Sequence, residues 1–197
     1  MKELDSREKL KNDVEEREEA IRRQAHDFKH MVDVVLAERT TGSFGGYIPK
    51  IDTGNGVLDV ILMAKYDICE KNGIHFSYIA DGTGLGYMST ADICLLFGNA
   101  LDNAIECEMK IADPDKRFVK LLVSEKNGWI SVSLENYIEQ APVSDGEDFR
   151  TSKPDESEHG YGLRSIKKTA EKYGGAAKAV VSAEVFRLCV LLPVTPD

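Results

Sequence analysis

Residues 95–107, which read LLFGNALDNAIEC, combine amides and carboxylates at a spacing that could hold a metal ion. A helix advances about 100° per residue, so it would place Asn99, Asp102, Asn103 and Glu106 on one face. The opposite face would be apolar and would carry Ile93, Phe97, Ala100, Leu101 and Ala104. Oxygen ligands of this kind suit a hard cation such as Mg²⁺ together with the polar edge of a ligand. The same pattern is also that of an ordinary surface helix whose polar face is solvated.

A second segment suits phosphate. Residues 159–166 read HGYGLRSI and lead into a helical pattern that stops at Gly174-Gly175. A glycine-flanked turn therefore feeds directly into a helix N-terminus, where free N–H groups and the helix dipole converge. Gly160 and Gly162 would let the backbone approach a ligand closely. Paired glycines can also do no more than interrupt regular structure, so the turn alone leaves both interpretations open.

Taken together, the two segments resemble the N box and the glycine box of the ATP-binding domain shared by gyrase, the heat-shock chaperone, histidine kinases and the MutL mismatch-repair protein. The resemblance spans residues 53–194. It implies that ATP and Mg²⁺ bind here, with Asn99 as the magnesium ligand and with Asp102 and Asn103 beside the phosphates. By the same resemblance, the turn that closes over the triphosphate consists of Gly160, Tyr161, Gly162 and Leu163.

The N-terminal residues predict one long helix. Within residues 1–36, apolar side chains recur at helical spacing and form a single stripe: Leu10, Val14, Ile21, Ala25, Phe28, Val32 and Val35. The residues around this stripe are dense in Glu, Lys and Arg. His26 and His30 lie one turn apart on the face roughly opposite the stripe, where an imidazole is available for chemistry.

Three interpretations compete for the two histidines. They could be solvated surface residues, they could form a divalent metal site with further ligands, or one could accept a phosphoryl group. The run His26-Asp27-Phe28-Lys29-His30 resembles the phosphorylation motif of sensor histidine kinases of the peptide-pheromone class, those like the accessory gene regulator sensor. This resemblance implies that His26 is the nucleophile and that Asp27 orients it. The ATP-site resemblance favours the phosphoacceptor interpretation.

The adenine-reading residue departs from the usual kinase pattern. Most kinases of the superfamily carry an Asp-x-Gly-x-Gly box after a strand, whereas here the strand predicted to end at Leu134 runs into Glu135-Asn136-Tyr137. The pheromone-sensor branch resembles this chain in using Asn at that place. Asn136 is therefore expected to accept a hydrogen bond from the adenine amine through its side-chain oxygen.

Residues 137–159 predict a lid over the nucleotide. The stretch is polar and contains two prolines and a glycine, as mobile active-site covers often do. Lys153 and His159 resemble the basic lid positions of the family, which would meet the triphosphate. The alternative is an ordinary loop.

The pattern of elements predicts an α+β chain of two parts. Residues 1–52 form a helical dimerisation and phosphoacceptor arm, and residues 53–197 form an ATP-binding domain, a two-layer α/β sandwich with a mixed sheet. The turn Asn127-Gly128 predicts a hairpin between two of its strands. Residues 37–52 contain three glycines and a proline, which cannot supply the long second helix of the usual kinase hairpin. Either that helix is truncated, or part of the natural chain is missing from this sequence. Homodimerisation would rest largely on the first helix.

Composition and charge bear on the cellular location of the protein and on its partners. The chain has 197 residues, a net charge of −9 and no apolar run long enough to span a membrane, which together predict a cytoplasmic protein without a nucleic-acid partner. A membrane link would run only through a sensor region absent from this chain.

These observations predict the catalytic core of a two-component sensor histidine kinase, which phosphorylates His26 from ATP and passes the phosphoryl group to an aspartate of a response regulator. Two alternatives stay open. The chain could be a non-catalytic phosphotransfer or scaffold protein with a degenerate kinase fold, which the short second helix favours. It could also be a protein serine kinase of the anti-sigma-factor type.

Overall fold

The computed structural model describes residues 51–139, 143–145, 148–150 and 161–194. Within them, a five-stranded sheet has the strand order β1-β2-β3-β7-β6, and β4 pairs with β5 in a separate two-stranded sheet. The strands are β1 (His75–Ala80), β2 (Phe118–Lys126), β3 (Trp129–Tyr137), β4 (Val143–Asp145), β5 (Asp148–Arg150), β6 (Ala176–Ser182) and β7 (Val185–Pro193). In the larger sheet, β1 and β2 are parallel and the other neighbours are antiparallel. The sheet is therefore mixed, as predicted.

Helices cover one face of this sheet. The helical segments are α1 (Gly56–Lys71), α2 (Thr90–Ile93), a π-helical turn (Cys94–Gly98), α3 (Asn99–Glu108) and α4 (Tyr161–Lys172). Helix α1 contacts β1, α3 contacts β2 and β3, and α4 contacts β6 and β7. This arrangement confirms the predicted α+β class with one layer of helices on one layer of sheet. No helix within the described ranges is both long enough and apolar enough to cross a membrane.

Two sequence signals set the ends of these elements. Asn55 caps α1, and its side-chain oxygen accepts hydrogen bonds from the N–H groups of Val57 and Leu58, both at 3.1 Å. Asn127 and Gly128 join β2 to β3 with φ angles of 54° and 77°, the left-handed pair that a tight hairpin turn requires. The hairpin predicted at Asn127-Gly128 is confirmed.

Strand β3 is longer than predicted. It continues past Leu134 to Tyr137, and Asn136 pairs with Val119 on one side and Phe186 on the other. Side chains alternate along a strand, so Asn136 takes the next inward position after Ile130, Val132 and Leu134. The prediction that the strand ends at Leu134 was wrong. It was based on the run of apolar residues, whereas the row of inward-facing side chains continues to the polar Asn136.

The segment Thr90–Glu108, here called the N-box helix, is continuous but not regular. It begins as α2, widens into the π-helical turn Cys94–Gly98 and continues as α3. Its apolar face is buried as predicted, with Ile93, Phe97, Ala100, Leu101 and Ala104 each at most 4% exposed. The spacing of apolar residues does not distinguish a single wide turn from a regular one, so the π-helical turn was not predicted.

Candidate functional site

The polar face of the N-box helix reaches the surface. Asn99 and Asp102 are half-buried, whereas Asn103 and Glu106 are exposed. The two-faced helix predicted from spacing is therefore confirmed, and its oxygen-bearing side chains share one side.

A wide turn of the backbone precedes the predicted magnesium ligand. The π-helical turn ends at Gly98, and the N–H of Asn99 donates to the carbonyls of Leu95 and Leu96. Such turns shift the helical phase by one residue, and they occur frequently at functional sites. Asn99 is the first residue after this turn, at the start of α3.

The two segments singled out in the sequence meet in the structure. Tyr161 is the first residue of α4, and Gly162 and Leu163 belong to its first turn. A Cβ atom placed on Gly162 would lie 2.6 Å from Nδ2 and 3.0 Å from Oδ1 of Asn103. Real Cβ atoms do not come so near another heavy atom, so a larger residue at position 162 would push the exposed Asn103 amide aside. The N box and the start of α4 therefore form one surface.

The other end of α4 is anchored on the start of the N-box helix. The buried carboxylate of Asp92 accepts hydrogen bonds from Lys172 Nζ and the Tyr173 hydroxyl, each at 2.6 Å, and a short one from the Ser89 hydroxyl. The Ser89 N–H in turn donates to the Tyr173 hydroxyl at 3.0 Å. Burial raises the pKa of Asp92, but the hydrogen bonds from Lys172, Ser89 and Tyr173 outweigh it and leave the pKa lowered.

Lys65 is a residue of this region that the sequence analysis missed. It lies on α1, and its Nζ is 2.5 Å from Oδ1 of Asp102. Lys65 shares the core-facing side of α1 with Ile61 and Cys69, four residues before and after it. A lysine within an apolar helical stripe is the signal that could have identified it.

Asn136, the predicted adenine-reading residue, lies inside β3 and is 2% exposed. Its Nδ2 donates to the carbonyl of Tyr137 at 2.9 Å. The structure thus places the residue beneath the surface of the sheet end, where one amide proton is already bonded within the protein.

Beside it, Glu108 is another buried polar residue that the sequence did not reveal. Its side chain is 0% exposed, and Oε2 accepts a hydrogen bond from the Phe118 N–H at 3.0 Å. Burial raises the pKa of Glu108 to about 7, although Phe118, the Tyr137 N–H and the Asn136 amide act in the opposite direction. Oε1 makes no hydrogen bond of normal geometry to the described part of the chain. Burial therefore keeps this carboxyl protonated to a higher pH than an exposed glutamate.

Five predicted site residues cannot be placed. His26, Asp27, Lys153, His159 and Gly160 lie outside the described residues.

The donors on the N-box face are side-chain oxygens. In the part of the chain that the structure describes, no group of three or more His, Cys, Asp or Glu side chains is arranged to hold a metal ion. The N-box face instead offers the carboxamides of Asn99 and Asn103. A hard cation held by one or two protein oxygens, with ligand phosphates completing its shell, matches this donor set.

Comparisons with known proteins agree with this geometry. The family model described as the GHKL domain matches residues 88–193. No protein of curated function matches the sequence. Among solved structures, the catalytic domain of histidine kinase ThkA, in a nucleotide-free form, is similar with a TM-score of 0.55 at 18% identity, covering 74% of this chain and 97% of that chain. The Acinetobacter baumannii histidine kinase AdeS has a TM-score of 0.50 at 12% identity, covering 87% of this chain and 76% of its own.

At these identities the two structures establish the shared fold. They do not support the finer resemblance to peptide-pheromone sensors, which stays a prediction from the His26 motif and from Asn136.

Proposed function

The chain belongs to the GHKL domain family, and we propose that it is the catalytic core of a histidine kinase. In this proposal ATP binds between the N-box helix and the start of α4, and its γ-phosphoryl group is transferred to His26. The phosphoryl group then passes to an aspartate of a response regulator. The observation that carries the proposal is the approach of Asn103 to Gly162, which joins an amide-rich helix face to a helix N-terminus.

The described residues suggest how the triphosphate would be held. Asn99 would ligate magnesium through its side-chain oxygen, and the Asn103 amide would donate to a phosphate oxygen. Free N–H groups of the first turn of α4, which contains Tyr161, Gly162 and Leu163, would face the phosphates. Magnesium, when bound, neutralises charge on the triphosphate.

Four further residues are assigned by resemblance to the family. Asn136 would accept from the adenine amine, and Lys153 and His159 would meet the triphosphate from the lid. Gly160 would give the turn before α4 the backbone freedom to approach the phosphates.

His26 would act as the nucleophile. One ring nitrogen forms a bond to the γ-phosphorus while the bond from phosphorus to the bridging oxygen breaks, and ADP leaves with that electron pair. Asp27 would hold the proton on the other ring nitrogen and so keep the attacking one free. We place this reaction in the cytoplasm, in a homodimer formed through the N-terminal helix, and within the peptide-pheromone class.

The test is incubation of the full chain with γ-labelled ATP and magnesium, followed by acid and alkali treatment of the labelled protein. We expect label that is acid-labile and alkali-stable, that is lost in His26→Gln and Asn99→Ala, and that persists in His30→Gln. His30→Gln is the matched control because it removes the neighbouring histidine of the same motif.

Other outcomes would select an alternative. Acid-stable label that survives in His26→Gln would indicate a serine kinase of the anti-sigma-factor type. A protein that binds no ATP would instead be a phosphotransfer or scaffold protein with a degenerate kinase fold.

A further inference from the structure

Lys65 is buried, although lysine is among the residues least often found inside a protein. Its side chain is 9% exposed on the core-facing side of α1. Moving an ammonium group out of water costs several kcal/mol unless an opposite charge compensates it. A partner must therefore stand close to Nζ.

That partner is Asp102, which lies at the surface on the polar face of the N-box helix. Asp102 Oδ1 is 2.5 Å from Lys65 Nζ, and the Asp102 side chain is 46% exposed. Asp102 lies one turn after Asn99 and directly before Asn103 on α3. The ion pair thus has its positive end in the interior and its negative end on the amide-rich face.

Packing alone does not explain such a pair. Replacing a buried ion pair with apolar residues of similar volume is often neutral or stabilising, so the charges call for another reason. A lone carboxylate beside the triphosphate would repel it. The pair removes the repulsion while it keeps the ammonium beneath the surface.

We propose that Lys65 is a positioning residue of the nucleotide site, which neutralises Asp102 so that the N-box face meets the phosphates through its carboxamides. Asp102 then affects binding through its charge balance and makes no direct contact with the nucleotide or the metal. The inference rests on the proposed ATP-binding function of this face.

The test measures the affinity of the full chain for ATP with magnesium by titration calorimetry, in the wild type, Lys65→Met, Asp102→Asn and the double variant. Replacing Lys65 leaves the negative charge of Asp102 uncompensated and should weaken ATP binding about tenfold. This loss of affinity should be smaller at high salt. Asp102→Asn should bind at least as tightly as the wild type, and the double variant should lie within about threefold of it, because its charge balance is restored.

Lys71→Met is the matched control. Lys71 lies on the same helix and pairs with Asp67 at 2.6 Å, but both side chains are well exposed, at 70% and 61%. We expect the affinity of this variant to be unchanged.

The inference is tested by whether each variant binds ATP more tightly or more weakly than the wild type. If Asp102→Asn and the double variant both bind ATP more weakly, Asp102 contacts the ligand directly and the inference is wrong. It is also wrong if Lys65→Met loses stability to urea while its ATP affinity stays that of the wild type. Asp102→Asn leaves the buried Lys65 ammonium without this carboxylate, so it is the variant most at risk of unfolding. Should it fail to fold, Lys65→Met and the double variant still give the sign. A folded wild type that binds no ATP would overturn the proposed function along with this inference.

Discussion

At the scale of single residues, two of the four acidic side chains of the N-box helix have opposite surroundings. Asp102 is half-exposed and ion-paired with Lys65. Glu108 is fully buried, and its Oε1 makes no hydrogen bond to the described residues. Burial raises the pKa of Glu108 to about 7, so this carboxyl stays protonated to a higher pH than an exposed glutamate.

Glu108→Gln should remove a pH dependence of stability. The pKa of Glu108 is about 7 in the fold against 4.5 for an unperturbed glutamate. The stability that the protonated carboxyl contributes is therefore fully present below pH 4.5 and is lost as the pH rises through 7. At pH 8 the variant should be more stable than the wild type by roughly 1 to 3 kcal/mol, and this advantage should shrink towards pH 4.5. Urea unfolding across this pH range measures the difference. The exposed Glu171→Gln is the control, and equal pH profiles for Glu108→Gln and the wild type would contradict the prediction.

Gly162→Ala should separate binding from stability. The new Cβ would displace the Asn103 amide, because it would lie 2.6 Å from Nδ2. Loss of a hydrogen bond to a charged phosphate should weaken ATP binding about tenfold. Stability should hold or rise by up to about 1 kcal/mol, since alanine is the better helix former.

Calorimetric titration and urea unfolding of the same Gly162→Ala preparation test both statements. Gly86→Ala is the control, since a Cβ on Gly86 would meet nothing within 4 Å. Unchanged ATP affinity in Gly162→Ala would mean that Asn103 does not contact the nucleotide.

At the scale of elements, helix α4 is held against the N-box helix at both ends. Its first turn packs on Asn103 through Gly162, and residues at its C-terminal end, Lys172 and Tyr173, bond to Asp92. The hydrogen-bonded group of Asp92, Ser89, Lys172 and Tyr173 ties the C-terminal end of α4 to the start of the N-box helix. The surface that Asn103 and Gly162 form at the other end of α4 therefore depends on these contacts as well.

Asp92→Asn should weaken this anchor. The charge-assisted hydrogen bonds that it removes are worth about 2 kcal/mol of stability. Lys172→Met should cost less, about 1 kcal/mol at most, because the Lys172 side chain is 60% exposed. The lowered pKa of Asp92 means that its contribution is present above the ordinary aspartate pKa and is lost as the pH falls through the lowered value.

Urea unfolding at neutral and acid pH measures this loss. Asp67→Asn, which breaks only an exposed pair, is the control and should leave stability nearly unchanged. A difference between Asp92→Asn and the wild type that persists at the lowest pH would show that packing, rather than charge, is what the substitution removes.

At the scale of the whole molecule, ligand binding and folding should be linked. A ligand that binds only the folded chain, at about 100 times its Kd, adds about 2.7 kcal/mol to the free energy of unfolding. ATP with magnesium should therefore raise the midpoint of thermal unfolding in the wild type and much less in Asn99→Ala. An equal rise of the unfolding midpoint in both proteins would mean that Asn99 does not bind the metal.

Local patterns in the sequence determined most of the fold. Asn127-Gly128 identified a hairpin because few residue pairs adopt two successive positive φ angles. The recurrence of apolar residues every three or four positions identified the N-box helix and its buried face, because one turn of helix places side chains three and four apart on the same side. The ATP-site resemblance depended on the same local runs.

The tertiary structure alone decided how charges are paired across those elements. Lys65 and Asp102 are 37 residues apart, and Lys172 and Asp92 are 80 apart, so no periodicity along the chain relates them. Asn136 and Glu108 each continue an inward row after its apolar members, and only packing shows that those positions are buried. Periodicity reports which side of an element faces the core. The partner that a buried polar group finds there depends on how separate elements are brought together in space.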